Sequence, residues 1–357
     1  MAKVKLIQVS GNYYEVGLQI GAALKNGIKK AVKIPHKENL LYNLDLDTKF
    51  MKCLPYANKY SPNLINEMKG MADGSNQSFE DLFLLNMEEL WDNPPEKCTS
   101  IIHKTKDEVN LYHNEDFREE YKNEVAILKC KLKKVSFLSV IFPGLLAGSS
   151  VSLNSYGLVQ SINSLNYHKV KIGVPKNFIA REILECRNIN EVLKVIKTKN
   201  RASGYNHIII DRNKVYNIET TPTNYEIREI KNEIFAHTNH YLSNNLTKCD
   251  LASKNSYQRL NLIKEATEGK EISKDLILSI LKSHKENSRI CKHNPKIEDI
   301  TLTSVIAKPG ELKLYATKGN PCRNKYFEYA LNGNPIKKKL IKIPIINRPK
   351  QKNLILD

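Results

Sequence analysis

Hydrophobic positions recur at helical spacing over much of the first 97 residues and at strand spacing after them. Val4 to Val9 predicts a strand. Val16, Ile20, Ala23 and Leu24 share one face of a helix predicted from about Tyr13 to Val32. A second helix is predicted from Asn58 to Gly70, running out into the glycine-rich Gly70-Met71-Ala72-Asp73-Gly74-Ser75. Ser78, three residues before Asp81, fits the cap of a helix over Phe79 to Trp91. Asn93-Pro94-Pro95 then stops regular structure and makes an exposed lead-in to Cys98.

After Cys98 the β-branched and aromatic runs predict strands at Thr99 to Lys104, Val109 to Phe117, Val125 to Leu132, Phe137 to Phe142 and Gly157 to Asn163. Helices follow at Pro175 to Cys186 and Glu191 to Lys197. Strands return at His207 to Asp211, Val215 to Thr220, Tyr225 to Ile230 and Ile234 to His237. Ser253 to Ala266 and Lys274 to Ser283 are amphipathic helices, and Thr301 to Ala307 with Leu312 to Thr317 closes as a hairpin around Pro309-Gly310. Strands in blocks, then helices, then strands argue for an α+β fold with antiparallel sheets rather than alternating βαβ units. The length after Cys98 suits two stacked sheets flanked by helices.

Composition narrows the class. A hydrophobic content of 41% is that of a globular protein. The net charge of +18 raises the question of nucleic acid or an anionic surface as partner. Lysine is enriched throughout, however, and a basic run free of acids occurs only near the end, at Lys337, Lys338, Lys339, Lys342, Arg348, Lys350 and Lys352. That tail reads as a solvated extension, and no specific nucleic acid is expected. Seven cysteines without a CxxC pair argue against a zinc motif or a disulfide framework. Met1 to Val9 lacks the apolar core of a signal peptide, and Val135 to Val151, broken by Pro143, Gly144 and Gly148, is too short to span a bilayer. A cytoplasmic protein is expected.

The junction Lys97-Cys98-Thr99-Ser100 carries the candidate chemistry. A cysteine exposed by cleavage of the Lys97–Cys98 bond would carry a free α-amine with an ordinary pKa of about 7.7–8.0. One residue then supplies both nucleophile and general base. Before cleavage the same thiol can attack the preceding carbonyl and move the acyl group from nitrogen to sulfur. The alternative is a buried structural cysteine at a strand start.

In order along the chain, Gly11 to Gly21 (GNYYEVGLQIG), Gly70 to Leu90, Cys98-Thr99-Ser100, Asn114-Glu115-Asp116, Ser161-Ile162-Asn163-Ser164-Leu165, Asn206 to Asp211 with Glu219, His237-Thr238-Asn239-His240, Ser256 with Arg259, Thr301 to Ile306 and Gly319-Asn320-Pro321 form a series. The series resembles the isopenicillin-N acyltransferase-like family of N-terminal-nucleophile hydrolases over nearly the whole chain. The resemblance implies an αββα sandwich of two antiparallel sheets flanked by helices. It implies a mainly helical leader, 1–97, that becomes the small subunit after self-cleavage, a catalytic core, 98–333, and a basic tail, 334–357. Lys97 departs from the small residue that often precedes the family's nucleophile.

Carried over residue by residue, the resemblance makes Cys98 the nucleophile. Asp116 would set protonation at the cysteine or its new ammonium, or else cap a turn. Asn239 would donate to the oxyanion, and Ser304 would bond the amine or Asp116. Asn114, Asn163 and Arg259 are candidate site-lining residues, with Arg259 read first as an ion pair holding its helix. His237 and His240 invite a Cys/His dyad that an N-terminal amine makes unnecessary, and Glu219 reads as structural. The implied activity is cleavage of a linear amide C–N bond through an acyl-cysteine, with transfer to water or an amine. The substrate is a small-molecule amide or acyl donor, the cleaved chains stay associated, and no cofactor or metal is expected. Acyl-CoA stays open as a co-substrate. The competing reading is a catalytically silent member that binds nucleic acid or an anionic surface through its tail.

Overall fold

The computed structural model describes residues 2–91, 98–165, 167, 170–296 and 299–332. The residues before Cys98, expected to form a leader, contribute β1 (Lys5–Ser10), α1 (Tyr13–Ala23), α2 (Lys25–Ala31), α3 (Lys33–Tyr42), α4 (Leu46–Tyr60), α5 (Pro62–Ser75) and α6 (Phe79–Asn86). The chain turns at Leu24, so the single helix expected over Tyr13 to Val32 is two. Nothing was expected over residues 33–57, where α3 and most of α4 lie. Both helices leave apolar side chains such as Leu40, Leu41 and Met51 exposed, which blurs their periodicity.

The glycine-rich stretch forms the last turns of the helix, which ends at Ser75. Its glycines lie inside α5, because a Cβ at Gly70 or Gly74 would overlap the carbonyls of Tyr14 and Leu18, and one at Gly17 or Gly21 those of Glu67 and Met71. Two pairs of glycines four apart let α1 and α5 cross backbone to backbone. Ser78 caps α6 as expected, its Oγ accepting from Asp81 N at 3.0 Å.

The remainder contains β2 (Thr99–Lys104), β3 (Val109–Phe117), β4 (Ala126–Lys131), β5 (Ser136–Ile141), β6 (Ser152–Asn154), β7 (Val159–Ser164), α7 (Lys176–Ile183), α8 (Ile189–Ile196), β8 (Tyr205–Asp211), β9 (Lys214–Thr220), β10 (Tyr225–Ile230), β11 (Ile234–His237), α9 (Lys254–Thr267), α10 (Lys274–Leu281), β12 (Ile300–Lys308), β13 (Lys313–Ala316) and β14 (Phe327–Ala330). Only the short β6 and β14 lack a counterpart among the expected strands.

Two sheets result, ordered β1-β4-β5-β6-β7-β8-β9-β10 and β11-β2-β3-β12-β13-β14. Every pairing is antiparallel except β1 with β4, which is parallel. The fold is therefore the expected α+β sandwich. Ile263, Ile277, Ile280 and Leu281 of α9 and α10 pack on Ile101, Tyr112 and Ile306 of the second sheet. On the first sheet, the Arg181 guanidinium of α7 lies 4.9 Å over the Phe137 ring of β5.

The leader is woven into this body. Besides β1, it supplies Glu67, which takes Arg181 in a bidentate pair at 2.9 and 3.3 Å with both side chains fully buried. Among the described residues, no helix is long and apolar enough to cross a membrane.

Candidate active site

Strand alternation sorts the site residues before any contact is considered. Along β3, Leu111 and Phe117 belong to the main core, whereas Tyr112 packs under α9 and α10. His113 and Glu115 therefore face the other sheet, and Asn114 and Asp116 face the helices. Cys98 and Ser100 share the inter-sheet face, and Thr99 points to α9.

Cys98 is buried at the head of β2, and its Sγ donates to Glu115 Oε1 at 3.2 Å. The other Glu115 oxygen accepts from Ser150 Oγ and lies 3.0 Å from His113 Nε2. His113 Nδ1 in turn lies 2.8 Å from Ser100 Oγ and 3.1 Å from Ser161 Oγ. Ser100 Oγ donates to Asn163 Oδ1 at 2.8 Å. Asn163 is thus tied to the nucleophile strand through Ser100. A carboxylate fixed by two neighbours faces a thiol whose pKa is pushed well above its ordinary value, first by burial and then by the charges of Glu115 and Asp116. The sulfur thus lies beside an acceptor for its proton.

Arg259 does more than hold its helix. From α9 it is fully buried, and its Nη1 donates to Cys98 O and Thr99 Oγ1, both at 2.8 Å. Its Nη2 donates to Asn239 Oδ1 at 2.7 Å, which fixes the Asn239 amide with its nitrogen donating to Ser164 O at 3.0 Å. Ser256 Oγ, one helical turn before Arg259, accepts from Asn239 N at 2.8 Å. One guanidinium therefore joins the Cys98 backbone to the Asn239 amide.

Asp116 occupies the opposite face of β3. Its Oδ1 accepts from Thr301 Oγ1 at 2.6 Å, and its Oδ2 lies 3.4 Å from the buried Lys292 Nζ. Burial pushes its carboxyl above the ordinary range against the pull of Lys292, Thr301 and Arg259. Asp116 meets the sulfur through its backbone oxygen, 4.0 Å away. Ser304 does not join Asp116. Its Oγ donates to His113 O at 3.3 Å and lies 2.8 Å from Tyr326 Oη, since Ser304 stands opposite Asn114 while Thr301 stands opposite Asp116. Asn114 is also set back from the cavity, donating to Leu281 O and Ile290 O at 2.9 and 3.0 Å. Lys97 lies outside the described residues.

The His237/Cys98 dyad finds no support. His237 Nε2 lies 2.8 Å from Glu219 Oε1, and its Nδ1 lies 2.8 Å from Thr238 O. The His240 ring stacks on Tyr257 at 3.9 Å. Glu219 is structural as expected, accepting also from Leu242 N and Ser243 N at 2.7 and 2.8 Å. Burial raises its carboxyl, but these bonds outweigh burial and hold it at about 2.

A carboxyl depressed on folding stabilises the native state above its unfolded pKa and loses that contribution as pH falls through the folded value. Glu219→Gln should therefore cost on the order of 2–3 kcal/mol at neutral pH. The gap from wild type should close between about pH 4 and pH 2. Denaturant midpoints across that range check this, and a gap independent of pH would refute it.

The cavity at Cys98 is narrow, with about 20 Å³ open to the centre of a water-sized group. Phe117, Phe142, Leu145 and Ile162 give it apolar walls, and Glu88, Ser149, Ser164 and Tyr205 are its polar members besides Cys98 and Glu115.

Sequence reasoning missed Glu115, His113 and Lys292. The first two were legible as alternate residues on the core face of β3, but attention to the pair Asn114 and Asp116 hid the residue between them. Two groups of side chains with metal-ligating atoms also come together, where the sequence led us to expect no metal. The fold assembles His284, Cys291, His293 and Cys322, and separately Cys98, His113 and Glu115, with ligand atoms in each group within 4.8 Å of one another. Both groups draw on residues outside the local spacings that a motif search reads.

The family described as acyl-coenzyme A:6-aminopenicillanic acid acyl-transferase matches residues 103–323. The chain is 26% identical over 253 residues to a beta-alanyl-dopamine/carcinine hydrolase of Drosophila melanogaster, a match covering 62% of this chain and 65% of the relative. It thus spans a little under two thirds of that relative's length. Among solved structures, a variant of conjugated bile acid hydrolase from Clostridium perfringens matches with TM-score 0.42 at 15% identity, over 67% of this chain and 100% of that one. Penicillin V acylase from Agrobacterium tumefaciens matches with TM-score 0.44 at 10% identity, over 66% of this chain and 86% of that one.

Proposed function

The chain belongs to the acyl-coenzyme A:6-aminopenicillanic acid acyl-transferase family, and from that premise we propose that it is a self-cleaving cysteine amidase or acyltransferase acting on small linear amides. The observation that carries this reading is the double grip of Arg259 on Cys98 O and on Asn239 Oδ1, which couples a nucleophile to an oxyanion donor.

In the first stage Glu115 takes the thiol proton and Cys98 Sγ attacks the Lys97 carbonyl. The Lys97–Cys98 C–N bond breaks, a thioester forms, and the Cys98 nitrogen takes the proton held by Glu115 and leaves as a free amine. Water hydrolyses the thioester, ending the leader at Lys97 and the second chain's start at Cys98. In the second stage the α-amine takes the thiol proton and the thiolate attacks the substrate carbonyl. Asn239 donates to the oxyanion, a contribution of about 2.7–4 kcal/mol for a typical donor. The α-ammonium then protonates the leaving nitrogen, and the acyl-cysteine passes to water or an acceptor amine.

Asp116 acts here as a positioning residue, anchoring Lys292 and adding its charge behind Arg259. The strand β1 and the Glu67–Arg181 pair support a leader that stays bound after cleavage. The apolar walls of the cavity favour small acyl groups, and the chemistry calls for no cofactor, with acyl-CoA as an acceptable acyl donor. The described free cysteines suit a reducing, cytoplasmic setting.

The test is intact mass under denaturing conditions, followed by a quenched reaction with small amides that include β-alanyl-dopamine and carcinine. Chains of residues 1–97 and 98–357, and an acyl adduct on the second, are the expected outcome. An uncut chain that releases no amine from any substrate tried would sink the reading.

A further inference from the structure

We propose that His284, Cys291, His293 and Cys322 form a tetrahedral zinc site, separate from the catalytic cavity and standing or falling independently of the proposed reaction. The four ligands come from three segments: His284 just after α10, Cys291 and His293 in the loop before β12, and Cys322 between β13 and β14.

Their spacing is that of a coordination sphere. With Zn–S near 2.3 Å and Zn–N near 2.0–2.1 Å, tetrahedral edges run about 3.8 Å between sulfurs, about 3.6 Å from sulfur to nitrogen and about 3.3 Å between nitrogens. The observed separations are 3.6 Å for the two sulfurs and 3.0 Å for the two Nε2 atoms. His293 Nε2 lies 3.5 Å from Cys291 Sγ and 3.3 Å from Cys322 Sγ. The sulfurs stand well beyond the roughly 2.05 Å of a disulfide. Both imidazoles present the same nitrogen, and their rings are tilted by 46° with centroids 5.0 Å apart, as two ligands of one ion require.

The donor set selects the metal. Two thiolates and two neutral imidazoles favour zinc over hard cations such as magnesium or calcium. Binding releases two protons, one from each thiol, and leaves a complex of zero net charge. That neutrality suits a site whose Cys291 is buried. Asn320 supplies an outer partner, with its Nδ2 3.5 Å from Cys291 Sγ and donating to Lys292 O at 2.6 Å. Four protein ligands leave no open position, so the site is structural rather than catalytic.

Its placement gives it a task. Lys292 stands between two ligands and reaches Asp116 at 3.4 Å, and Ile290 O, next to Cys291, accepts from Asn114. The ion would fasten this loop to the back of the strand that carries Glu115.

The experiment uses the full chain, purified reduced. Metal analysis should give one zinc per chain. After chelation, cobalt should restore one equivalent with the intense visible bands of a tetrahedral thiolate site, and zinc should displace it. Cys291→Ser with Cys322→Ser should remove both the zinc and the cobalt bands, and His284→Asn, at an exposed position, should weaken cobalt binding at least about tenfold. Wild-type protein that is folded by circular dichroism yet takes up neither metal would overturn the proposal. So would cobalt bands that survive the double cysteine substitution, which would place the metal at Cys98, His113 and Glu115. A Cys291–Cys322 disulfide in protein kept reduced would count equally against it.

Discussion

Cys98→Ala should give a single uncut chain with no amidase activity, while unfolding at the same denaturant concentration as uncut wild type. The expected loss of turnover is at least about a thousandfold, since removing a nucleophile leaves only binding and oxyanion stabilisation. The argument for unchanged stability is local. Cys98 is buried, but among the described residues its thiol bonds Glu115 Oε1 at 3.2 Å and a backbone oxygen at 4.0 Å, while the carbonyl that Arg259 grips is backbone and survives the substitution. Intact mass and amine release on the same sample check both halves. An alanine variant that still cuts would exclude Cys98 as the nucleophile of self-cleavage, and one that still turns over amide would exclude it from the reaction.

Cys98 was legible in the sequence because its signal is local: a leader, a proline stop and a strand-forming run in which Cys98, Thr99 and Ser100 alternate faces. Strand positions were legible for the same reason. β2, β3, β10 and β11 fall on the residues that their β-branched runs indicated. What the sequence hides is whatever depends on register between distant elements. Thr301 rather than Ser304 meets Asp116 because of the register of β12 against β3, which no periodicity announces. The glycines of α5 read only as a helix end until the close crossing with α1 is known. Lys292 looks like one lysine among many in a basic chain, yet it is fully buried against Asp116. Arg259 was placed correctly on the face of Ser256, but its reach to Cys98 O spans 161 residues and could not be read from spacing.

Glu115→Gln should block self-cleavage while sparing much of the mature reaction, and the reason is one of timing. In the proposed mechanism the α-amine that would serve as base is a peptide nitrogen until the Lys97–Cys98 bond is cut. It cannot take the thiol proton in the first step. Burial and two nearby carboxylates hold that thiol firmly protonated. Glu115 Oε1, at 3.2 Å, is positioned to accept the proton, and His113 and Ser150 fix its orientation from the other side. A positioned base contributes about 10²–10⁴-fold, so the glutamine variant should accumulate uncut chain over times in which wild type is fully processed. Supplying the leader and a chain that begins at Cys98 as two co-expressed pieces bypasses the step. In that form Glu115→Gln should regain most of the wild-type turnover, whereas Cys98→Ala should regain none. If the bypassed Glu115 variant stays as inactive as the uncut one, Glu115 serves the amide reaction itself. If the single-chain variant cuts at the wild-type rate, the proton leaves Cys98 by another route.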